Sequence, residues 1–216
     1  MTNVAYAYLH GFGSSPASRK AKALEAALAA RGIPLIVPDL NQLSLGELRL
    51  PAIWQALSEL DASLGHPQWR LIGCSLGGWL ALRMAAEWKR VDRAVLLSTP
   101  EHLRPLWDGF ISETSREAWR IKGALPLPDV HGKFRRVHYA FYEDICAWGS
   151  GTLHAECPLL LVHGLRDRII STAEAQHFAS RTSSRLIQVD ADHELIAELD
   201  FVIKTTVDFI TRDDAG

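Results

Sequence analysis

The residues with the clearest chemical potential surround Ser75, in the segment Gly73-Cys74-Ser75-Leu76-Gly77. This G-x-S-x-G spacing follows an apolar run at residues 69–73 and precedes a helical pattern at 77–90. On a sharp strand-to-helix turn a serine hydroxyl is exposed, and the flanking glycines are needed because side chains would collide with the neighbouring backbone. A glycine-rich turn with an idle serine is the alternative interpretation. The spacing and its context predict that Ser75 is a nucleophile.

A serine hydroxyl is a weak nucleophile at neutral pH, so it needs a general base within hydrogen-bond reach. Asp167 follows an apolar run at residues 158–164, and His193 follows another at 185–190. The C-terminal ends of parallel strands meet at one edge of a sheet, so these loops can bring distant residues together. We therefore expect His193 to act as the base and Asp167 to orient it.

Three other carboxylates compete with Asp167 for the role of the acid. Glu101 follows the strand at residues 93–98, where some enzymes with this serine motif carry their acid. Asp190 and Asp192 precede His193 closely, and a residue on the same loop turns back onto the imidazole only with difficulty. Asp167 is preferred because it lies on a separate, short loop at a strand end.

Acyl transfer also requires hydrogen-bond donors for the oxyanion of the transition state. The Leu76 N–H would lie at the start of the helix after the serine, where unpaired amides favour an anion. The second donor is expected from the glycine-rich loop His10-Gly11-Phe12-Gly13-Ser14, and we predict that it is the Phe12 N–H group. Cys74 is expected to be a small buried residue, and His10 and His163 to be structural.

The elements that must position these residues alternate between strands and helices. Six short apolar runs predict strands at 5–9, 34–38, 69–73, 93–98, 158–164 and 185–190. Helical patterns lie between them, the first capped by Ser15 and Pro16 and ended by Gly32, the others at 47–64, 77–90, 172–182 and 194–211. Continuous apolar strands of this kind are typical of a parallel sheet covered by helices on both faces, so the chain is predicted to be an α/β protein.

Residues 99–156 interrupt this alternation of strands and helices, and they include eight of the chain's eighteen aromatic residues. We expect this segment to be a lid or cap inserted into a single domain that spans residues 1–216. An appendage that merely extends the core is the alternative, because aromatic residues serve cores and pockets equally. If the segment is a lid, an apolar substrate pocket is expected from its aromatic residues Trp107, Phe110, Trp119, Tyr139, Phe141 and Tyr142.

Composition restricts the partners and the cellular location. The formal net charge is −2, with basic and acidic residues interspersed, so neither nucleic-acid nor membrane binding is expected. Three cysteines without a C-x-x-C pair suit reduced thiols better than disulfides or a zinc site. Neither a signal peptide nor a membrane-spanning run is apparent in the sequence, which predicts a cytoplasmic protein.

The segments YLHGFGSSP, GCSLGG, VHGLRDRII and DADHE resemble the signature blocks of compact α/β-hydrolase serine esterases and thioesterases. The resemblance implies a minimal six-stranded parallel sheet in the order 2-1-3-4-5-6, flanked by helices. It also implies hydrolysis of carboxylic esters or thioesters through an acyl-enzyme. Small, apolar substrates are expected, and the mechanism requires no metal or cofactor. The inserted segment carries no motif that could be transferred.

Two other functions remain open on the same residues. One is a different reaction of the same three groups, such as carbon–carbon bond hydrolysis or perhydrolysis, which the motif alone does not exclude. The other is a ligand-binding homologue that has kept the fold without turnover.

Overall fold

The computed structural model describes residues 3–41, 45–129 and 132–212. Its strands are β1 (Val4–Leu9), β2 (Leu35–Ile36), β3 (Gln68–Cys74), β4 (Val91–Leu97), β5 (Ala124–Pro128), β6 (Phe134–His138), β7 (Leu159–Gly164) and β8 (Arg185–Val189). Its α-helices are α1 (Arg19–Ala29), α2 (Leu50–Ser63), α3 (Leu76–Glu87), α4 (Leu103–Phe110), α5 (Glu113–Lys122), α6 (Tyr139–Trp148), α7 (Thr172–Thr182) and α8 (Leu199–Ile210).

Six strands form one parallel sheet in the order β2-β1-β3-β4-β7-β8. Counted without the two strands of the insertion, this is the predicted order 2-1-3-4-5-6. Successive side chains of a strand point to opposite faces, so neighbouring residues enter two different cores. Tyr8 and Ile72 pack with α1 and α8 on one face, while Leu9 and Leu71 pack with α2 and α3 on the other. Helices therefore cover both faces, as the continuous apolar runs predicted.

The insertion between β4 and β7 has regular structure that the sequence did not predict. It contains α4, α5 and α6, and β5 pairs with β6 in a separate antiparallel hairpin. Its buried residues Trp119, Phe141 and Ile145 belong to the same apolar cluster as α3 and one face of the sheet. The Arg49 guanidinium ties α2 to α6 through two hydrogen bonds of 2.7 and 2.8 Å to the Asp144 carboxylate.

Three predicted helix starts were wrong, and the second of these helices begins at Leu50 rather than at residue 47. The first helix is capped by Ser18, whose Oγ accepts a hydrogen bond from Ala21 N–H, because residues 15–18 form a turn in which Ser18 N–H bonds to the Ser15 carbonyl. Ser15 and Pro16 therefore precede the cap. The last helix begins at Leu199 rather than at residue 194, because Leu195 adopts a left-handed conformation with φ 58°.

Gly32 lies just beyond α1 with φ 72°, in agreement with its predicted place at the end of that helix. In the part of the chain that the structure describes, no helix is long and apolar enough to cross a bilayer. Within the same residues, no three His, Cys, Asp or Glu side chains are grouped so that they could hold a metal ion.

Candidate active site

Ser75 lies between the end of β3 and the start of α3, with φ 52° and ψ −117°. A positive φ is strained for a residue with a side chain and is retained only where the surroundings enforce it. The turn is tightly packed: a Cβ on Gly73 would lie 2.3 Å from the Gly77 carbonyl oxygen, and one on Gly77 would lie 2.1 Å from the Leu9 carbonyl oxygen. Both glycines of the motif are therefore required by close backbone approach, as the spacing indicated.

His193 and Asp167, from two separate loops, are joined by a hydrogen bond of 2.8 Å between His193 Nδ1 and Asp167 Oδ2. The other carboxylate oxygen accepts hydrogen bonds from Ile169 N–H and Ile170 N–H, at 2.8 and 3.0 Å. The Asp167 side chain is fully buried, whereas that of His193 is partly exposed and borders a cavity. This arrangement fixes the proton of the imidazole on Nδ1 and leaves Nε2 as a possible acceptor.

The electrostatics of Asp167 favour the ionised form. Burial by itself raises the pKa of a carboxyl group, but the hydrogen bonds from His193 and from the two amides outweigh it. The net effect holds the pKa of Asp167 below its ordinary value. The carboxylate is therefore charged and able to stabilise a protonated imidazole.

The rival carboxylates are engaged elsewhere. Glu101 is buried and forms an ion pair with Arg181 of α7. Asp190 is exposed and forms an ion pair with Arg166. These contacts support the choice of Asp167 over both.

Asp192, the third rival, also has a local partner. Its Oδ1 accepts a hydrogen bond of 3.0 Å from Glu194 N–H, within the loop that carries His193. Its carboxylate therefore stabilises the turn of that loop, whereas the imidazole is bonded to Asp167.

The loop after β1 lies against the turn that carries Ser75. A Cβ on Gly11 would lie 3.3 Å from the Cys74 carbonyl oxygen and 3.4 Å from Ser75 Cβ. His10 is fully buried below this loop, with Nδ1 3.0 Å from the Gly11 carbonyl oxygen and Nε2 accepting a hydrogen bond of 3.1 Å from Leu40 N–H. These contacts support a structural role for His10, since its ring holds the loop's backbone in place.

The cavity beside Ser75 has a volume of about 250 Å³. It brings together four of the five predicted catalytic and oxyanion-hole residues, Phe12, Ser75, Leu76 and His193, while Asp167 lies behind His193. Its apolar wall comes mostly from the insertion, and its more polar wall includes residues that sequence analysis did not consider. The apolar residues are Leu103, Leu106, Trp107, Phe110, Leu127, Pro128 and Ile169, and the polar ones are Tyr8, Ser14, Lys20, Cys74, Asp129 and Glu194.

Two of the six aromatic residues predicted to form a substrate pocket border this cavity. Trp107 and Phe110 line it, but Trp119, Tyr139, Phe141 and Tyr142 do not. These four rings pack behind the wall, with Phe141 5.3 Å from Trp107 and Trp119 5.7 Å from Tyr139 between ring centroids. A helix can present only one face to a cavity, so these four rings pack between elements of the insertion instead.

His163 and Cys74 have buried surroundings. His163 lies with Nε2 3.0 Å from the Ile170 carbonyl oxygen, and burial lowers its pKa. Burial likewise raises the pKa of the Cys74 thiol and so disfavours the thiolate, which is the reactive form. These positions support the expectation that His163 is structural and that Cys74 is not a second nucleophile.

Lys20 and Glu194 are among the polar residues of the cavity wall that sequence reasoning missed. Lys20 occurs in an amphipathic helix in which a lysine normally faces solvent, so its type and spacing carried no signal. Glu194 directly follows His193, and that adjacency was the one available indication that it lies near the site.

Comparison with protein-family models matches residues 5–210 to the "Uncharacterised protein family (UPF0227)". The chain belongs to the UPF0227 family. This UPF0227 chain is also similar to a curated mouse protein, mitochondrial palmitoyl-protein thioesterase ABHD10 of Mus musculus. The two are 30% identical over 169 residues, which cover 72% of this chain and 56% of the mouse protein. The chain thus spans little more than half the length of that relative.

Solved structures show the same architecture for the UPF0227 chain. Mouse alpha/beta hydrolase domain-containing protein 10 matches with a TM-score of 0.77 at 24% identity, covering 95% of this chain and 89% of that one. Est1E from Butyrivibrio proteoclasticus with bound ferulic acid matches with a TM-score of 0.80 at 16% identity, covering 97% and 88%. The chain therefore has the α/β-hydrolase fold, and the predicted fold class is confirmed.

Proposed function

We propose that this chain is a serine hydrolase that cleaves carboxylic esters or thioesters through an acyl-enzyme. Ser75 is the nucleophile, His193 the general base and Asp167 the group that orients the imidazole. The observation that carries the proposal is the 2.8 Å bond from His193 to the buried Asp167, with Ser75 held on a strained turn at the same cavity.

The reaction follows from this arrangement in two stages. His193 Nε2 takes the Ser75 proton as Oγ attacks the carbonyl carbon, and the resulting imidazolium then protonates the departing alcohol or thiol. In the second stage the imidazole removes a proton from water, which attacks the acyl carbon and releases the acid and free Ser75. Asp167 stays ionised throughout and stabilises the imidazolium.

We assign the Leu76 and Phe12 N–H groups as the hydrogen-bond donors to the oxyanion of each tetrahedral intermediate. Leu76 is the first residue of α3, so its amide lies at the positive end of the helix. The Phe12 ring packs against two other rings, with centroid distances of 5.2 Å to Trp107 and 5.6 Å to Phe141. These contacts hold the residue, and hence its N–H group, in place. Donors fixed before the charge appears stabilise the transition state most effectively.

The insertion at residues 99–156 acts as a cap over the site in this proposal. Its apolar contribution to the cavity wall favours uncharged substrates over charged ones. The mouse relative's name as a palmitoyl-protein thioesterase supports thioesters as a second substrate class. That relative is mitochondrial, and a cytoplasmic location of this chain remains a prediction from its sequence.

The proposal is tested by labelling with a fluorophosphonate and by a panel of p-nitrophenyl esters and acyl thioesters. We expect the wild-type protein to be labelled and active, and Ser75→Ala to fold normally while losing both properties, because alanine fits the turn but lacks the nucleophilic oxygen. Labelling of Ser75→Ala at the wild-type level, or an unlabelled wild-type protein, would contradict the assignment.

A further inference from the structure

Lys20 is buried at an unfavourable position. Its side chain is only 5% exposed, and it occupies the first turn of α1, whose N-terminal end carries partial positive charge. Lysine is almost never buried without a partner, because removing the ammonium from water is costly. A lysine held there must be compensated by a specific interaction.

That interaction is with the loop that carries the proposed base. Lys20 Nζ donates hydrogen bonds to the main-chain carbonyl of Glu194 at 2.7 Å and to its carboxylate at 3.0 Å. Glu194 directly follows His193, and the next residue, Leu195, has φ 58°. Lys20 thus connects the backbone beside His193 to α1, the helix that follows the proposed oxyanion loop.

We propose that Lys20 is a positioning residue that fixes His193 through the main-chain carbonyl of Glu194 and balances the Glu194 carboxylate. The inference rests on the proposed function, since it concerns the same base. Lys20 and Glu194 both border the cavity, so the pair also forms part of the wall beside the nucleophile. A base misplaced by about 1 Å can cost roughly 100-fold in rate, which gives such an anchor a measurable effect.

Several other charged or titratable groups lie around His193 and must be considered together with the Lys20–Glu194 pair. Asp167 bonds to the imidazole directly, and His163 lies 3.7 Å from the same carboxylate oxygen. Asp129 borders the cavity and is paired with Arg135. Burial tends to lower the pKa of Lys20, whereas the Glu194 carboxylate raises it; the net shift is upward, so the side chain is an ammonium at neutral pH.

The Lys20–Glu194 pair is therefore neutral as a whole, and removing either member leaves one charge at the wall of the cavity that His193 also borders. An unpaired Glu194 carboxylate favours the protonated imidazole, whereas an unpaired Lys20 ammonium disfavours it. The two single changes should move a pH profile in opposite directions. A lysine that served only to fill space would produce no such pattern.

The test measures the rate of fluorophosphonate labelling of Ser75 as a function of pH, which requires no knowledge of the natural substrate. The variants are Lys20→Met, Glu194→Gln and the double variant. Lys22→Met is the matched control, because Lys22 is an exposed lysine on the same helix. Thermal unfolding of each variant gives the folded fraction at the assay temperature.

We expect Lys20→Met to label roughly 10- to 100-fold more slowly than Lys22→Met, with its acid limb at higher pH. Glu194→Gln keeps the main-chain carbonyl, so its rate should fall less while its acid limb moves to lower pH. The double variant should regain the wild-type limb but remain slow. Because Glu194→Gln retains the anchor, its profile tests the charge balance even if Lys20→Met folds poorly.

Two results would overturn the inference. One is a Lys20→Met protein with the rate and profile of Lys22→Met, or with labelling reduced only in proportion to its folded fraction. The other is a Glu194→Gln profile identical to that of the wild type. In both cases labelled wild-type protein and unlabelled Ser75→Ala would leave the hydrolase proposal intact, whereas an unlabelled wild-type protein would remove both.

Discussion

At the scale of single residues, the orientation of the Asp167 carboxylate is set by the short loop at residues 167–170 and by His193. Its two oxygens are occupied by different partners, the amides of Ile169 and Ile170 on one and His193 on the other. The carboxylate therefore has one orientation, which points at the imidazole. Glu101 has a different environment, a buried ion pair with Arg181, that serves packing between the insertion and α7.

The first prediction compares these two acids. Asp167→Asn should lower kcat by roughly 10⁴-fold, because the amide donates where the carboxylate accepted and the imidazole then adopts the wrong tautomer. Glu101→Gln should cost less than about tenfold in kcat but about 1–3 kcal/mol of stability, because a buried charge-assisted hydrogen bond is weakened. Steady-state kinetics and urea unfolding measure both effects. The reverse ordering in kcat would move the acid to Glu101.

The second prediction concerns the buried histidines His10 and His163. Burial lowers the pKa of both, so each stays neutral in the folded protein while the unfolded chain takes up protons near pH 6.5. Below about pH 6.5 the unfolded state binds more protons than the folded state, so the free energy of unfolding should fall as the pH falls from about 7 to about 5. Urea unfolding at several pH values measures this slope.

Matched variants separate these histidines from other groups. His10→Gln should reduce the slope between pH 7 and 5, whereas His154→Gln, which changes an exposed loop histidine, should leave it as it is. Asp167, with its lowered pKa, adds a loss of stability only below about pH 4, outside this window. An undiminished slope in His10→Gln would show that other groups carry the effect.

At the scale of elements, the insertion both extends the hydrophobic core and forms part of the cavity wall. Phe141 of α6 is fully buried and does not border the cavity, whereas Phe110 at the end of α4 borders it and is 59% exposed. The two roles that sequence analysis left as alternatives are thus divided between different residues of one segment.

The third prediction follows from that division. Phe141→Ala should destabilise the protein by about 3–5 kcal/mol, the usual cost of deleting a buried ring. Phe110→Ala should change stability little but alter the relative kcat/KM for esters of different acyl length. Thermal unfolding and a substrate panel measure the two effects. Equal destabilisation by both changes, with unchanged selectivity, would favour a purely packing role for the insertion.

At the scale of the whole molecule, the size of the cavity sets an expectation for substrate length. A cavity of about 150 Å³ accommodates benzene, so the 250 Å³ beside Ser75 corresponds to about ten non-hydrogen atoms. A sixteen-carbon acyl chain exceeds this space, although the mouse relative is named for palmitoyl substrates.

The fourth prediction is therefore a preference for short acyl groups. We expect kcat/KM for p-nitrophenyl butyrate to exceed that for the palmitate ester by at least about tenfold, because the longer chain does not fit in the cavity unless the cavity wall is displaced. Both esters should be measured below their aggregation limits in the same buffer. Equal or higher activity on palmitate would mean that the insertion moves to enlarge the site.

The sequence by itself determined the parts of this protein that depend on local rules. The G-x-S-x-G turn could be predicted from the sequence, because a side chain at Gly73 or Gly77 would collide with the neighbouring backbone. The six strands were readable because burial on both faces demands continuous apolar runs, and their order was implied by the resemblance of the motifs. Asp167 and His193 could be chosen because each follows a strand at the same edge of a parallel sheet.

Only the tertiary structure decided features that depend on which surfaces meet. The division of the aromatic residues between cavity wall and core was hidden, because an amphipathic pattern shows that a face is buried but not against what. The partner of Glu101 lies 80 positions away, and that of Lys20 lies 174 positions away. Charges in a helix look solvated in sequence, and only their contact with a distant loop shows that Lys20 is buried beside the proposed base.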